Sequence, residues 1–273
     1  MNATNLFPAR CWKFLIISML FLGFSLQSIS QAITNYQFRQ VPQDKMEEFI
    51  KRETTYWSKV AEAAIEKGNL TFWGLFVKVG GFDIPNSPNV LFVNSFDDID
   101  AANQSEMWDA SKIFPDVPME DMETFSMSTV MHSIYLNNTG PAVWKEGTVP
   151  ADDVRFLNFV FHNSNSPGQL VALENEHWKP FIKAAMDAGQ TTQIGWVNAQ
   201  ILSPSLPGMQ ANSVSIDIHP SLKSALTGGF VDDSNVEFPT EALQKINDME
   251  INRRISYIYR RIQVVNANPP GGE

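Results

Sequence analysis

The apolar and polar positions divide the chain after residue 33 into two runs of the same kind. Residues 34–41 alternate, Tyr36 and Phe38 against Gln37 and Arg39, as a half-buried strand does, and Pro42 ends the run. Asp44 is placed to cap a helix in which Met46, Phe49, Ile50, Trp57, Val60, Ala61, Ala64 and Ile65 recur at three- and four-residue spacing. Gly68 stands where a left-handed C-terminal cap is expected. Residues 72–79 are apolar on both faces, so they predict a strand buried from both sides. A Gly- and Pro-rich loop (80–89), a strand (90–96), a helical region from Asp97 interrupted by Pro115 and Pro118, and an alternating strand (129–136) complete the order β-α-β-β-α-β.

Residues 137–153, with Gly140, Pro141, Gly147 and Pro150, read as a linker, and the pattern then restarts. It predicts a strand at 156–162, a turn at Pro167-Gly168, and a helix at 170–188 in which Pro180 should introduce a kink. A strand (193–201), a Pro-rich loop (203–210), a strand (214–218), a helix (239–252) and a strand (255–265) follow, and 266–273 reads as a disordered tail. The restart is in register. Glu53, Trp57, Gly68 and Gly74 recur as Glu174, Trp178, Gly189 and Gly195, all at one offset of 121 residues, which also aligns Ala63-Ala64 with Ala184-Ala185.

A Glu-x-x-x-Trp helix ending in Gly, followed by a Trp- or Ile-Gly strand inside β-α-β-β-α-β, resembles the dimeric α/β-barrel superfamily. That group includes antibiotic-biosynthesis-type monooxygenases and EthD-like and NIPSNAP-like proteins. The resemblance spans 33–136 and 154–265. It implies an α+β fold in which two tandem ferredoxin-like β-α-β-β-α-β repeats form an intramolecular α/β barrel. A sheet covered by helices on one face still needs a cover for the other, and the second copy supplies it. A monomer with a pseudo-two-fold axis is the simplest expectation, with higher oligomers open. The superfamily hosts unrelated chemistries, and no catalytic motif of a named subfamily matches, so the resemblance assigns no functional residue.

The first 32 residues carry Arg10 and Lys13, then an apolar stretch from 14 to 26, then small residues before Ala32. That is the grammar of a cleaved secretory signal, so export to a periplasmic or extracellular space is expected, with no stable membrane insertion after cleavage. Cys11, the one cysteine, would leave with it, and the mature chain would have neither disulfides nor thiolate chemistry. Without Arg10 and Lys13 the chain keeps 18 basic against 30 acidic residues, a formal charge of −12. Such a surface argues against nucleic acid and anionic lipid as partners. Asn69, Asn103 and Asn137 stand in glycosylation sequons, which matter only in a host that glycosylates exported proteins.

Strand parity then nominates a lumen. Tyr36, Phe38, Leu91 and Val93, with Leu157, Phe159, Val214 and Ile216, are assigned to the helix face. Gln37, Arg39, Phe92, Asn94 and Phe96, with Asn158, His162, Ser215, Asp217 and His219, are assigned to the barrel interior. The first and third strands are expected to run adjacent and parallel in this fold, which would bring His162 and His219 together with Asp217, a group able to orient an acid–base histidine or hold a metal. Asn158, Arg39, Asn94, Trp196 and His132 are the candidate ligand-binding residues. Glu53 and Glu174 could form salt bridges, cap backbone or act as bases. In the superfamily resembled, His132 or His177 could ligate haem, although the sequence names no cofactor. Three functions stay open: an exported barrel binding a small, partly apolar molecule in its lumen; a cofactor-independent monooxygenase- or isomerase-like enzyme using His162, His219 and Asp217; and a structural or protein-interaction module, which a lumen filled by apolar side chains would favour.

Overall fold

The computed structural model describes residues 33–79, 87–97, 100, 105–204, 211–231, 236–251 and 254–266. The expected signal, the glycosylation sequon at Asn103, most of the two Pro-rich loops and tail residues 267–273 lie outside the described residues. The described strands are β1 Ile33–Gln40, β2 Phe72–Lys78, β3 Val90–Phe96, β4 Thr129–Asn138, β5 Val143–Trp144, β6 Phe156–His162, β7 Gly195–Ser203, β8 Ser213–His219 and β9 Ile255–Asn266. Two long helices, α1 (46–66) and α2 (167–187), follow β1 and β6, and two shorter ones, α3 (Leu222–Leu226) and α4 (Thr240–Asp248), lie between β8 and β9. Asp44 makes no cap but sits in a short 3₁₀ turn ahead of α1. Among the described residues from Asp97 to Met127 there are only short helical turns.

Pairing runs β4-β1-β3-β2-β9-β6-β8-β7, and β7 pairs back to β4. The result is a closed barrel of eight antiparallel strands with β5 added beside β7. Each half of the chain supplies four consecutive staves, and the halves meet where β2 pairs with β9 and β4 with β7. Both long helices end alike. Gly68 and Gly189 take positive φ (75° and 69°), and Asn69 and Gln190 donate back to the carbonyls of Ala64 and Ala185 at 2.9 Å. A residue with a Cβ would be strained there. Within 137–153, β4 continues to Asn138, Val143–Trp144 pairs with β7, and Pro150–Asp153 makes one helical turn.

The barrel interior is a packed hydrophobic core drawn from both halves. The ring of Tyr36 lies 5.5 Å from Phe159, Phe38 lies 6.1 Å from Phe161, and Phe159 lies 5.5 Å from Tyr259. Leu91, Val93, Val214 and Ile216 join them. The parity assignment is therefore inverted: the strictly apolar face turns inward, and the face carrying Arg39, Phe92, His162, Ser215 and Asp217 turns to the helices. Phe92, Trp73 and Leu75 pack with Phe49 and Ala61 of α1, which places their strand face under that helix. A period of two separates the faces of a strand without saying which one a barrel encloses. Inside the ring of strands each polar group would need a partner from another inward side chain, whereas the helix layer brings carboxylates, hydroxyls and amides.

Gly74 and Gly195, the repeated pair, allow the closest ring contacts. A Cβ on Gly74 would lie 2.6 Å from the ring of Phe76, and one on Gly195 would lie 2.6 Å from the indole of Trp144. Phe76 is buried in the barrel core, whereas Trp144 is half-buried on the added strand and can yield. Gly74→Ala is therefore expected to cost about 1–3 kcal/mol and Gly195→Ala less. Phe159→Ala, at a fully buried position, should cost about 3–5 kcal/mol. Urea denaturation checks all three; a small loss at Phe159 would contradict a filled barrel.

Candidate functional site: a polar layer between sheet and helices

Both long helices are interrupted by a five-residue π turn, Glu53–Trp57 in α1 and Glu174–Trp178 in α2. These turns are the repeated Glu-x-x-x-Trp segments. Lys59 in the first half stands where Pro180 stands in the second, so the proline is not the cause of the irregularity. Single π turns inside α-helices recur at functional sites. Here each begins with a glutamate whose side chain is buried under the helix, Glu53 at 4 % and Glu174 at 5 % exposure. The two tryptophans pack away from these carboxylates. Trp57 donates from Nε1 to the carbonyl of Met122 at 2.8 Å, and Trp178 packs on Phe181.

Glu174 accepts from Asn198 Nδ2 at 3.0 Å, and its other oxygen lies 3.6 Å from His162 Nε2. His162, the last residue of β6, is 1 % exposed. Its Nδ1 is 2.9 Å from Glu250 Oε1 and its Nε2 is 2.9 Å from Ser215 Oγ. Glu250 follows α4 in a segment held to the end of β6 by the bonds Ile251 N to Asn163 O and Asn165 N to Met249 O. Arg254 Nε donates to the same Glu250 oxygen at 2.5 Å. Burial pushes the Glu250 carboxyl up, but its bonds to His162 and Arg254 hold it below the usual carboxylate range. Burial raises Glu174, with His162 and Asn198 opposing. Directly across the ladder from His162 the layer has a loose end: the buried Ser213 hydroxyl has no hydrogen-bond partner among the described residues.

Asp217 sits further along β8, 3.4 Å from both Asn158 Nδ2 and Gln193 Nε2. Burial, and then repulsion from Glu174, raise its pKa to about 6. Asn158 in turn accepts from Ser256 at 2.5 Å. His219 does not join this group. β6 and β8 are antiparallel, with His162 opposite Ser213 and Phe156 opposite His219, so the two histidines lie six steps, roughly 20 Å, apart along the sheet. The reason is topological: a helical crossover makes β6 parallel to β7, and the hairpin from β7 to β8 then reverses the third strand. His219 bonds through Nδ1 to Ser224 Oγ at 2.8 Å, and burial lowers its pKa to about 4.

In the first half Glu53 accepts from Thr124 Oγ1 at 2.6 Å. Burial pushes its pKa up to about 7 against the opposing pull of Thr124 and Arg39. The guanidinium of Arg39, on β1, lies over the rings of Phe92 and Phe125, 4.8 and 4.6 Å from the centroids. Asn94 is on the same sheet face, its buried Oδ1 without a hydrogen-bond partner. Trp196 is 1 % exposed and pairs across the ladder with Asp217; it is packed rather than lining an opening. His132 is exposed on β4, and His177 lies 3.8 Å from Glu176 at the surface of α2. Of these, only His132, opposite Phe38, shares the inward-facing side of its strand, and it is exposed there rather than packed in the core. Sequence reading missed Glu250, Ser215 and Ser213 as members of the site. Only Glu174 carried a signal, its repetition at Glu53. Among the described residues no group of three or more His, Cys, Asp or Glu side chains is placed to hold a metal ion.

No protein-family model matches the chain, and no curated protein matches its sequence. Solved structures do share its fold. An anthrone oxidase-like protein superposes with a TM-score of 0.56 at 13% identity, over 88% of this chain and 94% of its own. A protein assigned as a monooxygenase from Lactobacillus acidophilus NCFM gives 0.55 at 12% identity, over 87% and 97%. Another so assigned, from Fusobacterium nucleatum subsp. nucleatum, gives 0.53 at 13%, over 86% and 94%.

Two titrations should leave opposite marks on stability. Glu53 in the folded chain keeps a proton that the unfolded chain releases above its ordinary value of 4.5. Its contribution is complete below that value and is lost as pH rises through about 7. That loss amounts to about 3 kcal/mol at most. His219 is the reverse: its contribution is complete above 6.5 and is lost as pH falls towards about 4, because the unfolded chain takes up the proton first. Denaturation midpoints across this range should flatten on the alkaline side in Glu53→Gln and on the acid side in His219→Gln. Unchanged profiles in both would contradict these environments.

Proposed function

We propose that this chain is an enzyme that moves a proton to or from a small, partly apolar molecule, in the manner of cofactor-independent monooxygenases or isomerases. His162 is the acid–base group. The observation carrying this reading is the buried arrangement Ser215–His162–Glu250 with Glu174 at 3.6 Å. Glu250 at Nδ1 fixes the tautomer and steadies the imidazolium, which leaves Nε2 to exchange a proton through or beside the Ser215 hydroxyl. Glu174, raised by burial, is a second proton store on the same side, and Asp217 a third within electrostatic reach. The fold shared with assigned monooxygenases supports an enzyme without naming its substrate. A packed lumen was the mark expected of a structural module; the polar layer outside it supports an enzyme instead, and the proposal puts the ligand against that layer rather than in the barrel interior.

Two related readings belong with it. We infer that the halves are tandem copies of one ferredoxin-like repeat, a reading supported by the equivalent strand orders β4-β1-β3-β2 and β9-β6-β8-β7 and by the matched π turns. Export rests on the composition of residues 1–32, and N-terminal sequencing of exported protein should begin at Ile33; retention of Met1 would contradict it.

Deuterium exchange from solvent into a panel of anthrones, phenols and 1,3-dicarbonyl compounds reads proton transfer directly. The wild type should accelerate exchange in at least one class. His162→Gln should reduce the rate by about 10²- to 10⁴-fold, and Glu250→Gln should reduce it less while shifting the pH profile. Exchange undiminished in His162→Gln, or absent from every compound, would overturn the assignment.

A further inference from the structure

The first half holds a cation whose surroundings are incomplete. Arg39 is 7 % exposed, and two aromatic rings, those of Phe92 and Phe125, lie against its guanidinium. Nε donates to Gln37 Oε1 at 2.6 Å, and Nη1 reaches Ser128 Oγ only at 3.4 Å. Among the described residues no acceptor meets Nη2 and no carboxylate lies within 4.0 Å of the group. A buried charge without an ion pair is costly, and the terminal nitrogens Nη1 and Nη2 are where the group's hydrogen bonding is weakest. Glu53 does not fill it. Its carboxylate is engaged with Thr124, and burial favours its neutral form up to about pH 7.

We propose that Arg39 is the receptor for a carboxylate carried by a small, partly apolar acid, held edge-on by both terminal nitrogens. A carboxylate is planar and matches the guanidinium fork, so it fits beside the rings of Phe92 and Phe125 where a bulkier tetrahedral anion is hindered. The apolar body follows from what lies at the mouth. Phe125 is 63 % exposed, and Val130, directly opposite Arg39 on the neighbouring strand and so on the same sheet face, is 44 % exposed. This site lies in the opposite half from His162 and stands or falls independently of the acid–base reading.

Glu53 then regulates occupancy, because its ionised form competes for the same charge. The charged group facing it from β1 is Arg39, and the polar group from the segment before β4 is Thr124; its helix neighbour Arg52 turns instead to Glu48 and to the carbonyls of Glu120 and Glu123.

Calorimetric titration of the folded chain with benzoate, benzyl alcohol and inorganic phosphate tests the proposal. Benzoate should bind saturably at one site, with benzyl alcohol and phosphate each weaker by about tenfold or more. Arg39→Gln should weaken benzoate by at least about tenfold, and Arg39→Lys, which keeps the charge and loses the fork, should also weaken it. Since Arg39→Gln could disturb the fold, Val130→Glu at the exposed rim supplies a second arm: it should repel benzoate while leaving the thermal transition in place. Wild-type affinity should fall severalfold between about pH 6 and about pH 8, and Glu53→Gln should abolish that fall. No saturable benzoate binding, equal binding of benzyl alcohol, or full binding by either Arg39→Gln or Val130→Glu would overturn the proposal.

Discussion

Two four-stranded sheets, each covered by helices on one side, have inner faces that only the other can shield from water. Tyr36 against Phe159, and Phe38 against Phe161 and Tyr259, are the contacts through which that shielding happens. The side chains of a strand alternate, so giving the apolar set to the interior sends the polar set towards the helices. Arg39, His162, Ser215 and Asp217 are therefore buried in a layer where hydrogen-bond partners had to be supplied from above the sheet. Buried polar groups persist only where such partners exist, and an incomplete set marks a place where something else is expected to bind.

The partners come from the irregular parts of the fold. A π turn at the middle of each long helix lowers a glutamate onto the sheet, and the segments ahead of the last strand in each half bring Thr124 and Glu250. Equivalent scaffolds then carry different chemistry. At the offset that relates the halves, Val41 corresponds to His162, and by ladder pairing Phe92, opposite Gln37, corresponds to Asp217, opposite Asn158. The first half consequently has a guanidinium against two rings and a buried glutamate whose pKa is raised, and the second has a histidine bracketed by a hydroxyl and two carboxylates. One arrangement suits holding charge and the other suits moving a proton.

Much of the fold was legible in the residues. The helix stripe of α1, the Gly68 and Gly189 caps and the positions of the barrel strands follow from local periodicity and turn chemistry, and local rules govern them. The face of each strand did not follow, because alternation is symmetric until closure of the barrel decides which side is enclosed. The supposed meeting of His162 with His219 failed at strand direction, which depends on the hairpin between β7 and β8 rather than on the residues of either strand. Glu250 could not have been found: it lies 88 residues from His162, and only the tertiary fold joins them. Glu174 was visible through its repetition, though a repeated glutamate does not reveal that it is buried, and the π turn that buries it has no reading in apolar spacing.

The central claim is that the inner face is an aromatic core shared by both halves and that the chemistry lies on the other face of the same strands. Nuclear Overhauser spectroscopy with selectively labelled aromatic and histidine side chains measures this directly. Cross-peaks are predicted between the rings of Tyr36 and Phe159, and none between either ring and the His162 imidazole. Cross-peaks from His162 to those rings, or none between Tyr36 and Phe159, would contradict it.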